Sequence, residues 1–533
     1  MRPFRIVTAF SPYRFGSRKM MRTTAQTRRR FLQLSGACIA VGFAPLAAAP
    51  KRTASRPNIL YIMSDDHSAN AIGAYKRWLS PYAKTPNIDR LAREGILLTN
   101  CLCTNSLCAP SRASILTGKY SHKHGVYTLR EEIDTAGQET LPVVLHRAGY
   151  QTAVVGKWHL HGDNTQGFDY YAITRGQGSY FDPSLETKDG NRRCQGHATD
   201  AYTDLCLEWL GRRDRNKPFF LMCHHKAAHG LWQYAPRHAD MYEDETLPEP
   251  DTFWDDFDGR PGAQSKSATI APSLAERMVS GKRGRGWPTG NLDVTGLDPV
   301  QRKKAAYQKY VKDYLRCVAG IDESVGRLYK YLKDEGLLDD TLVIYTSDQG
   351  MYLGEHGFYD KRLMLEEALK MPFIARYPGA IRSGVLSDAV VNNVDFAPTL
   401  LDIAGLKVPA AMQGRSFRPV LYGKAASHRK SSFYAFYSSG VSKHYGIRTE
   451  RHKLIVYADG PSRELYDLQK DPNEVNNLYL DPTRANVMAE MERELRRAIE
   501  EVGIAADQLP GARAGERTAQ PKKNKRPRKS GQS

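Results

Sequence analysis

Apolar positions along this chain alternate between two rhythms. Short uninterrupted apolar runs are followed by longer stretches with helical spacing. The run at 58–63 is a strand of the kind buried on both faces in a parallel sheet. Residues 85–95 open on Thr85 and Pro86 and close on Gly95, which predicts a helix. The same reading gives a strand at 96–99, a helix at 142–148, and strands at 152–155 and 219–223. A long amphipathic helix from about 299 to 337 then leads into a strand at 342–346. Strands alternating with helices predict an α/β fold, a sheet flanked by helices.

The rhythm fails near 244–298, where Asp, Gly, Pro and Arg are frequent and no apolar period is visible, so this stretch reads as a long surface insertion. After about Lys424 the texture changes. Short strands at 432–437, 445–448 and 453–457 and a helix at 486–500 predict a smaller C-terminal α+β domain. The expected organisation is a leader over 1–52, a main domain over 53–425, the small domain over 426–510 and a tail over 511–533.

Composition changes this picture at the two ends. The net charge is +19, but residues 1–52 carry +11 and residues 511–533 carry +7. The body is therefore nearly neutral. A nucleic-acid-binding protein spreads basic charge over a folded face, so no nucleic-acid partner is expected. The tail is rich in Lys, Arg, Pro and Gly and reads as disordered. The leader reads as an address. Thr27-Arg28-Arg29-Arg30-Phe31-Leu32 resembles a twin-arginine export signal, an apolar stretch runs from Leu34 to Leu46, and Ala47-Ala48-Ala49 offers a cleavage site. The stretch is short for a membrane span. Cys38 admits a lipoprotein reading, which Ser35 and the apolar run beyond Cys38 oppose. Residues 1–20 read as an extension ahead of a second start at Met20 or Met21. The expectation is export by the twin-arginine translocase to the periplasm or beyond, with the mature chain beginning near Pro50. Of the eight cysteines, Cys101, Cys103, Cys194, Cys206, Cys223 and Cys317 show no metal spacing and no disulfide framework. Most are expected to be free.

The candidate chemistry falls just after predicted strands, at the sheet edge where α/β proteins bind ligands. Asp65 and Asp66 follow the first strand; Asp348 and Gln349 follow another. Either pair alone reads as a cap or turn. Together they form an all-oxygen donor set that suits Ca²⁺ better than Mg²⁺ and lacks the His and Cys that select zinc. Cys108 lies where a helix would begin, with Pro110 in its first turn, and a helix N-terminus favours an anion. Lys157 and His159 alternate on an extended segment and should point the same way. Their bland reading is a solvated lysine and a core histidine. His224 and His225 are accounted for by their place at a strand end.

The segment Cys108-Ala109-Pro110-Ser111-Arg112, ending in Thr117-Gly118, resembles the signature of the type I sulfatases. Gly156-Lys157-Trp158-His159, Ala227-Ala228-His229 (with Ala228 where the family has proline), Gly354 to Arg362, Gly446-Ile447-Arg448-Thr449 and Asp471-Pro472-Asn473-Glu474 extend the resemblance over roughly 55–480. It implies an alkaline-phosphatase-like fold and a sulfuric ester hydrolase. It implies that a maturation enzyme oxidises Cys108 to formylglycine, whose hydrate attacks sulfur with one hydroxyl and expels sulfate with the other. It implies that Arg112 holds the diol, Lys157 a sulfate oxygen, and that His159 is the base. His229 and Lys361 would flank the bridging oxygen and protonate the leaving alkoxide. Asp65, Asp66, Asp348, Gln349 and the converted Cys108 would hold Ca²⁺.

Two alternatives stand beside this. One is a phosphonate or phosphate monoester hydrolase of the same superfamily; a two-zinc phosphatase is opposed by the missing second His/Asp set. The other is a non-catalytic glycan-binding relative, opposed because each catalytic position is filled. The expected substrate is a sulfated carbohydrate, closest in look to 6-sulfated N-acetylglucosamine or a related hexosamine. The polar, aromatic loop at 176–183 could face sugar rings, and Asp360, Arg362 and His444 are candidate contacts to hydroxyls.

Overall fold

The structure, a computed structural model, describes residues 56–512 apart from 136, 163, 282–285, 459 and 461. The twin-arginine leader and the basic tail lie outside the described residues. The strands, in chain order, are β1 (Asn58–Ser64), β2 (Ile96–Leu98), β3 (Cys101–Leu102), β4 (Gln151–Lys157), β5 (Tyr170–Thr174), β6 (Ser184–Thr187), β7 (Gly190–Arg193) and β8 (Phe219–His224). They continue with β9 (Thr341–Ser347), β10 (Phe373–Arg376), β11 (Val385–Ser387) and β12 (Val391–Asn392), then β13 (Ser431–Phe436), β14 (His444–Thr449), β15 (His452–Tyr457) and β16 (Arg463–Asp467).

Ten strands form one sheet in the order β11-β2-β10-β9-β1-β8-β4-β5-β6-β7. β9, β1, β8, β4 and β5 run parallel. β10 is antiparallel to both of its neighbours, and β6 and β7 reverse at the other edge. Every residue of β8 and β9 is buried, and all of β1 and β4 except their first residues. That is why they read as unbroken apolar runs: both faces are covered. The parallel arrangement puts the carboxyl ends of β1, β4, β8 and β9 side by side.

Two helices show how local signals meet long-range ones. The long helix Pro299–Asp334 starts on a capping box in which Asp298 and Gln301 satisfy each other's backbone N–H. The helix Pro86–Arg93 starts where expected, but the Thr85 side chain does not cap it. Its first N–H groups, from Asn87 and Ile88, instead donate to Asp322 Oδ1 of the long helix at 2.9 and 2.8 Å.

The stretch 244–298 is not a surface excursion. Phe253, Arg260, Ile270, Leu274 and Trp287 are buried in it, and its Ile270–Leu274 and Ala275–Ser280 turns pack on the long helix. Its apolar residues are irregularly spaced because it is mostly turn and loop, so burial leaves no period to read.

The C-terminal part is an antiparallel sheet, β13-β14-β15-β16, separate from the main one. The helix Ala485–Val502 lays Met491, Leu495, Ala498 and Val502 against it. A buried ion network ties this sheet to the body. Lys453 Nζ on β15 reaches Glu366 Oε1 at 2.8 Å and Glu474 Oε1 at 2.7 Å, and Arg448 on β14 reaches Glu366 Oε2 at 3.2 Å. All seven described cysteines are free. No helix among the described residues is long and apolar enough to cross a membrane.

Candidate active site

The strand ends are stitched before any side chain acts. Asp65 N–H donates to the Ala227 carbonyl beyond β8 at 3.0 Å, and Asp348 N–H to the Ser64 carbonyl ending β1 at 3.3 Å. Asp66 takes a left-handed backbone, φ 59°, and its N–H donates to Asp348 Oδ1 at 3.1 Å. Three carboxylates thus converge in the interior. An oxygen from Asp65, an oxygen from Asp66 and the Cys108 sulfur all lie within 4.8 Å of one another.

Three cations answer the three carboxylates. Lys157 Nζ, fully buried, donates to Asp65 Oδ2 and to Gln177 Oε1 at 2.7 Å. Lys361 Nζ donates to Asp66 Oδ2 at 2.6 Å. Arg112 donates through Nε to Asp348 Oδ2 at 2.9 Å, its Nη2 lies 3.7 Å from Asp65 Oδ1, and its Nη1 bonds the Lys157 carbonyl. Burial alone would raise all three acids. Lys157 and Arg112 nevertheless hold Asp65 well below the usual carboxylate range, whereas burial, with Asp65 beside it, pushes Asp348 up to about 7. Burial also raises Asp66, against the pull of Lys361.

The donor set fits a hard cation. Gln349 Nε2 donates to Asp66 Oδ1, and Gln349 Oε1 and Asp65 Oδ1 are buried without a hydrogen bond. Buried oxygens without donors are costly, and a bound cation would satisfy such groups. The local charges already balance, so a divalent cation would leave a surplus that an anionic ligand takes up.

Cys108 opens the helix Cys108–Thr117, inside the body and almost fully buried. Burial pushes its thiol up to about 11, despite Lys361 and Lys157 nearby. Ser111 Oγ bonds the Asp348 carbonyl and accepts from Asn393 Nδ2 at 2.8 Å, fixing the helix start to the carboxylate cluster. β4 ends at Lys157, and His159 has a left-handed φ of 56°, so strand alternation stops before it. Burial, then Lys157, drives the His159 ring far below its ordinary value, and its Nδ1 has no partner. His229 accepts or donates at Nδ1 with Gly230; since Gly230 offers a carbonyl at 2.7 Å, Nδ1 carries the proton. Nε2 then faces Asp66 Oδ2, 3.7 Å away.

Above these groups lies a cavity of about 700 Å³, lined by Asp66, Cys108, His229 and Lys361 at its floor and by residues 177–181 along one wall. Asp360 and Arg362 line it too, Arg362 Nε donating to Asp360 Oδ2 at 2.6 Å. The stretch 244–298 supplies Ser267, Ser273 and Arg277. The expected sites Asp65, Asp66, Cys108, Arg112, Lys157, His229, Asp348, Gln349 and Lys361 therefore come together, with His159 buried beside them. His444 does not reach the cavity. Its ring is fully buried, stacked at 5.3 to 5.5 Å against Tyr434, Phe436 and Tyr457, and burial pushes it down to about 4. Gln177, Ser111 and Asn393 were not expected. Gln177 lies in a segment already marked as a ligand loop and Ser111 inside the Cys108–Arg112 segment; nothing local marks Asn393.

The sulfatase family matches residues 57–406. This chain belongs to the sulfatase family. A second match, to the C-terminal part of N-sulphoglucosamine sulphohydrolase, covers 354–501 of this sulfatase. An N-acetylglucosamine-6-O-sulfatase of Bacteroides thetaiotaomicron is 41% identical over 486 residues, 83% of this chain and 86% of its own length. The human N-acetylglucosamine-6-sulfatase is 27% identical over 69% of this chain and 65% of its own. The solved structure of BT4656 with its substrate D-glucosamine-2-N,6-O-disulfate superposes with a TM-score of 0.79 at 38% identity, covering 84% of this chain and 98% of that one. A phosphonate monoester hydrolase from Silicibacter pomeroyi shares the fold at 22% identity and a TM-score of 0.66. The enzyme class is thus a sulfuric ester hydrolase, and the alkaline-phosphatase-like fold is the one expected.

Proposed function

We propose that this sulfatase removes the 6-O-sulfate from an amino sugar of a sulfated glycan. The observation that carries the reading is the Asp360–Arg362 pair beside Lys361. Both residues hold left-handed backbones, φ 72° and 98°. Such strain in non-glycine residues persists where the surroundings impose it, as at ligand clamps. Their mutual bond, and Arg362 Nη1 to the Ser439 carbonyl at 3.0 Å, fix an acceptor and a donor at the cavity wall. That pairing matches vicinal sugar hydroxyls. The named relatives acting on 6-sulfated glucosamine support the same class.

Ca²⁺, held by Asp65, Asp66, Asp348, Gln349 and the converted Cys108, would neutralise sulfate charge as it develops. Formylglycine from Cys108, made by a maturation enzyme, would supply the nucleophilic hydroxyl. The chain's own groups do the rest. Lys157 and Arg112 keep Asp65 ionised, and Arg112 holds Asp348 in place. His159, held neutral by burial, keeps an unpartnered Nδ1 and takes a proton only when an anion beside it offsets the cost of burial. Lys361 keeps its proton because Asp66 and its other anionic neighbours outweigh burial, so it can donate to the bridging oxygen. His229 presents Nε2 on the same side and takes a proton only when an anion fills the cavity.

Arg362→Ala should lower kcat/KM on 6-sulfated N-acetylglucosamine by about 10- to 100-fold, the worth of a charged hydrogen bond. A panel of sulfated monosaccharides decides the matter. Preference for uronate 2-sulfate would overturn the substrate reading and leave the sulfatase standing. Export by the twin-arginine route is supported by Arg28-Arg29 and the short apolar run after them. Cell fractionation should find precursor trapped inside when both arginines become lysine; undiminished export would remove that reading.

A further inference from the structure

Five lysines of the described chain are buried: Lys157, Lys226, Lys266, Lys361 and Lys453. Four have oxygen partners. Lys157 meets Asp65, Lys361 meets Asp66, Lys453 meets Glu366 and Glu474, and Lys266 bonds the Lys361 carbonyl with Asp360 at 3.9 Å. The Lys226 side chain has neither a hydrogen bond nor an ion pair among the described residues; only its carbonyl is bonded, accepting from the His229 N–H at 3.2 Å. Its ammonium lies 4.8 Å from the centre of the Tyr180 ring, and the residue lines the cavity while only 5% exposed. An aromatic face compensates an ammonium less than a carboxylate does. Burial, with Lys157 adding to it, pulls Lys226 down to about 8, so it is mostly charged at neutral pH yet poorly stabilised.

Asp65 and Asp66 act on Lys226 only from beyond ion-pair distance, so a buried ammonium faces the ligand cavity with no directly bonded anion. We propose that Lys226 binds a second anionic group of the substrate, a monoanion other than the scissile sulfate. This rests on the amino-sugar 6-sulfate reading and extends it. The cations that bear most on Cys108 are Lys361 and Lys157. Lys226 faces the other wall, against Tyr180, whose hydroxyl donates to the His229 carbonyl at 2.6 Å. On a sulfated glycan such an anion is either an N-sulfate on the same amino sugar or the carboxylate of a neighbouring uronic acid. Both are singly charged oxyanions.

The test compares the converted, metal-loaded wild type with Lys226→Met and Lys226→Arg. Three substrates share the 6-sulfate: 6-sulfated N-acetylglucosamine, glucosamine 2-N,6-O-disulfate, and a disaccharide of 6-sulfated N-acetylglucosamine with a uronic acid. Lys226→Met should lose about 10- to 100-fold in kcat/KM, through KM, on a doubly charged substrate, with Lys226→Arg recovering part of it. The singly charged one should change by no more than about threefold. Loss confined to the disulfate assigns the N-sulfate; loss confined to the disaccharide assigns the carboxylate. Equal loss on all three, or none on any, overturns the site. Melting gives an independent readout. Removing a buried unpaired charge should leave Tm equal or higher, and a fall of more than about 5 °C would mark Lys226 as a structural partner of Tyr180 instead. If the wild type acts on none of the three, the 6-sulfate reading has failed separately. The site is then judged on aryl sulfate hydrolysis, where glucosamine N-sulfate should inhibit Lys226→Met about tenfold more weakly than wild type. Unchanged inhibition removes it.

Discussion

Cys108→Ala loses sulfate release by about 10⁴-fold or more, the scale expected when a nucleophile is removed. Cys108→Ser is nearly as inactive, since a single hydroxyl can attack sulfur but cannot expel sulfate afterwards. The thiol itself is no substitute. With its proton held up to about 11 by burial, little thiolate forms at neutral pH, so unconverted protein should also be inert. Mass spectrometry of the tryptic peptide spanning 94–112 separates cysteine from formylglycine, and its converted fraction should track activity across preparations. A Cys108→Ala protein hydrolysing an aryl sulfate at the wild-type rate would defeat this.

Asp348→Ala should cost the enzyme its metal and its activity together. Asp348 meets the Asp66 N–H and Arg112 Nε, so its loss removes a donor to the cation and releases the arginine that orders the cluster. The expected result is stoichiometric calcium in wild type and little in the variant. Added calcium should raise the wild-type Tm, since a ligand at about 100 times its Kd stabilises by about 2.7 kcal/mol. The variant should show no such rise. Stoichiometric zinc in the wild type, or calcium retained in the variant, would contradict the assignment.

The parts of this fold that were legible in the sequence are those whose signals are local. β1, β8 and β9 are unbroken apolar runs because both faces of the sheet are covered, and each ends in polar residues that can only be useful at its edge. That rule located Asp65, Asp66 and Asp348. Lys157 was found by the same rule, though the turn at His159 ended the alternation that was to align the two. What stayed hidden depends on partners distant in sequence. The place of β10 between β9 and β2 is set by pairing, not by its own residues. His444 looked like a ligand contact, but its cross-strand neighbours are Phe436 and Tyr457, and that register turns it inward. Lys226, two residues after β8, carries no signal of its own in the sequence. What sets it apart is that Asp65 and Asp66 act on it only from beyond ion-pair distance.

The buried network of Glu366, Lys453, Glu474 and Arg448 bears on how such an enzyme can change over time. Glu366 lies four residues beyond Arg362, on the same connection that brings Lys361 to the cavity. Its counter-charges come from the other sheet. A sheet lost, or exchanged for one lacking those cations, strands a carboxylate in the interior, at the root of the segment that carries Asp360, Lys361 and Arg362. Descent with modification can therefore vary the cavity walls, where 244–298 and 176–183 contribute, far more freely than it can recombine the two halves. New specificities should arise by remodelling loops within an inseparable pair, not by shuffling modules.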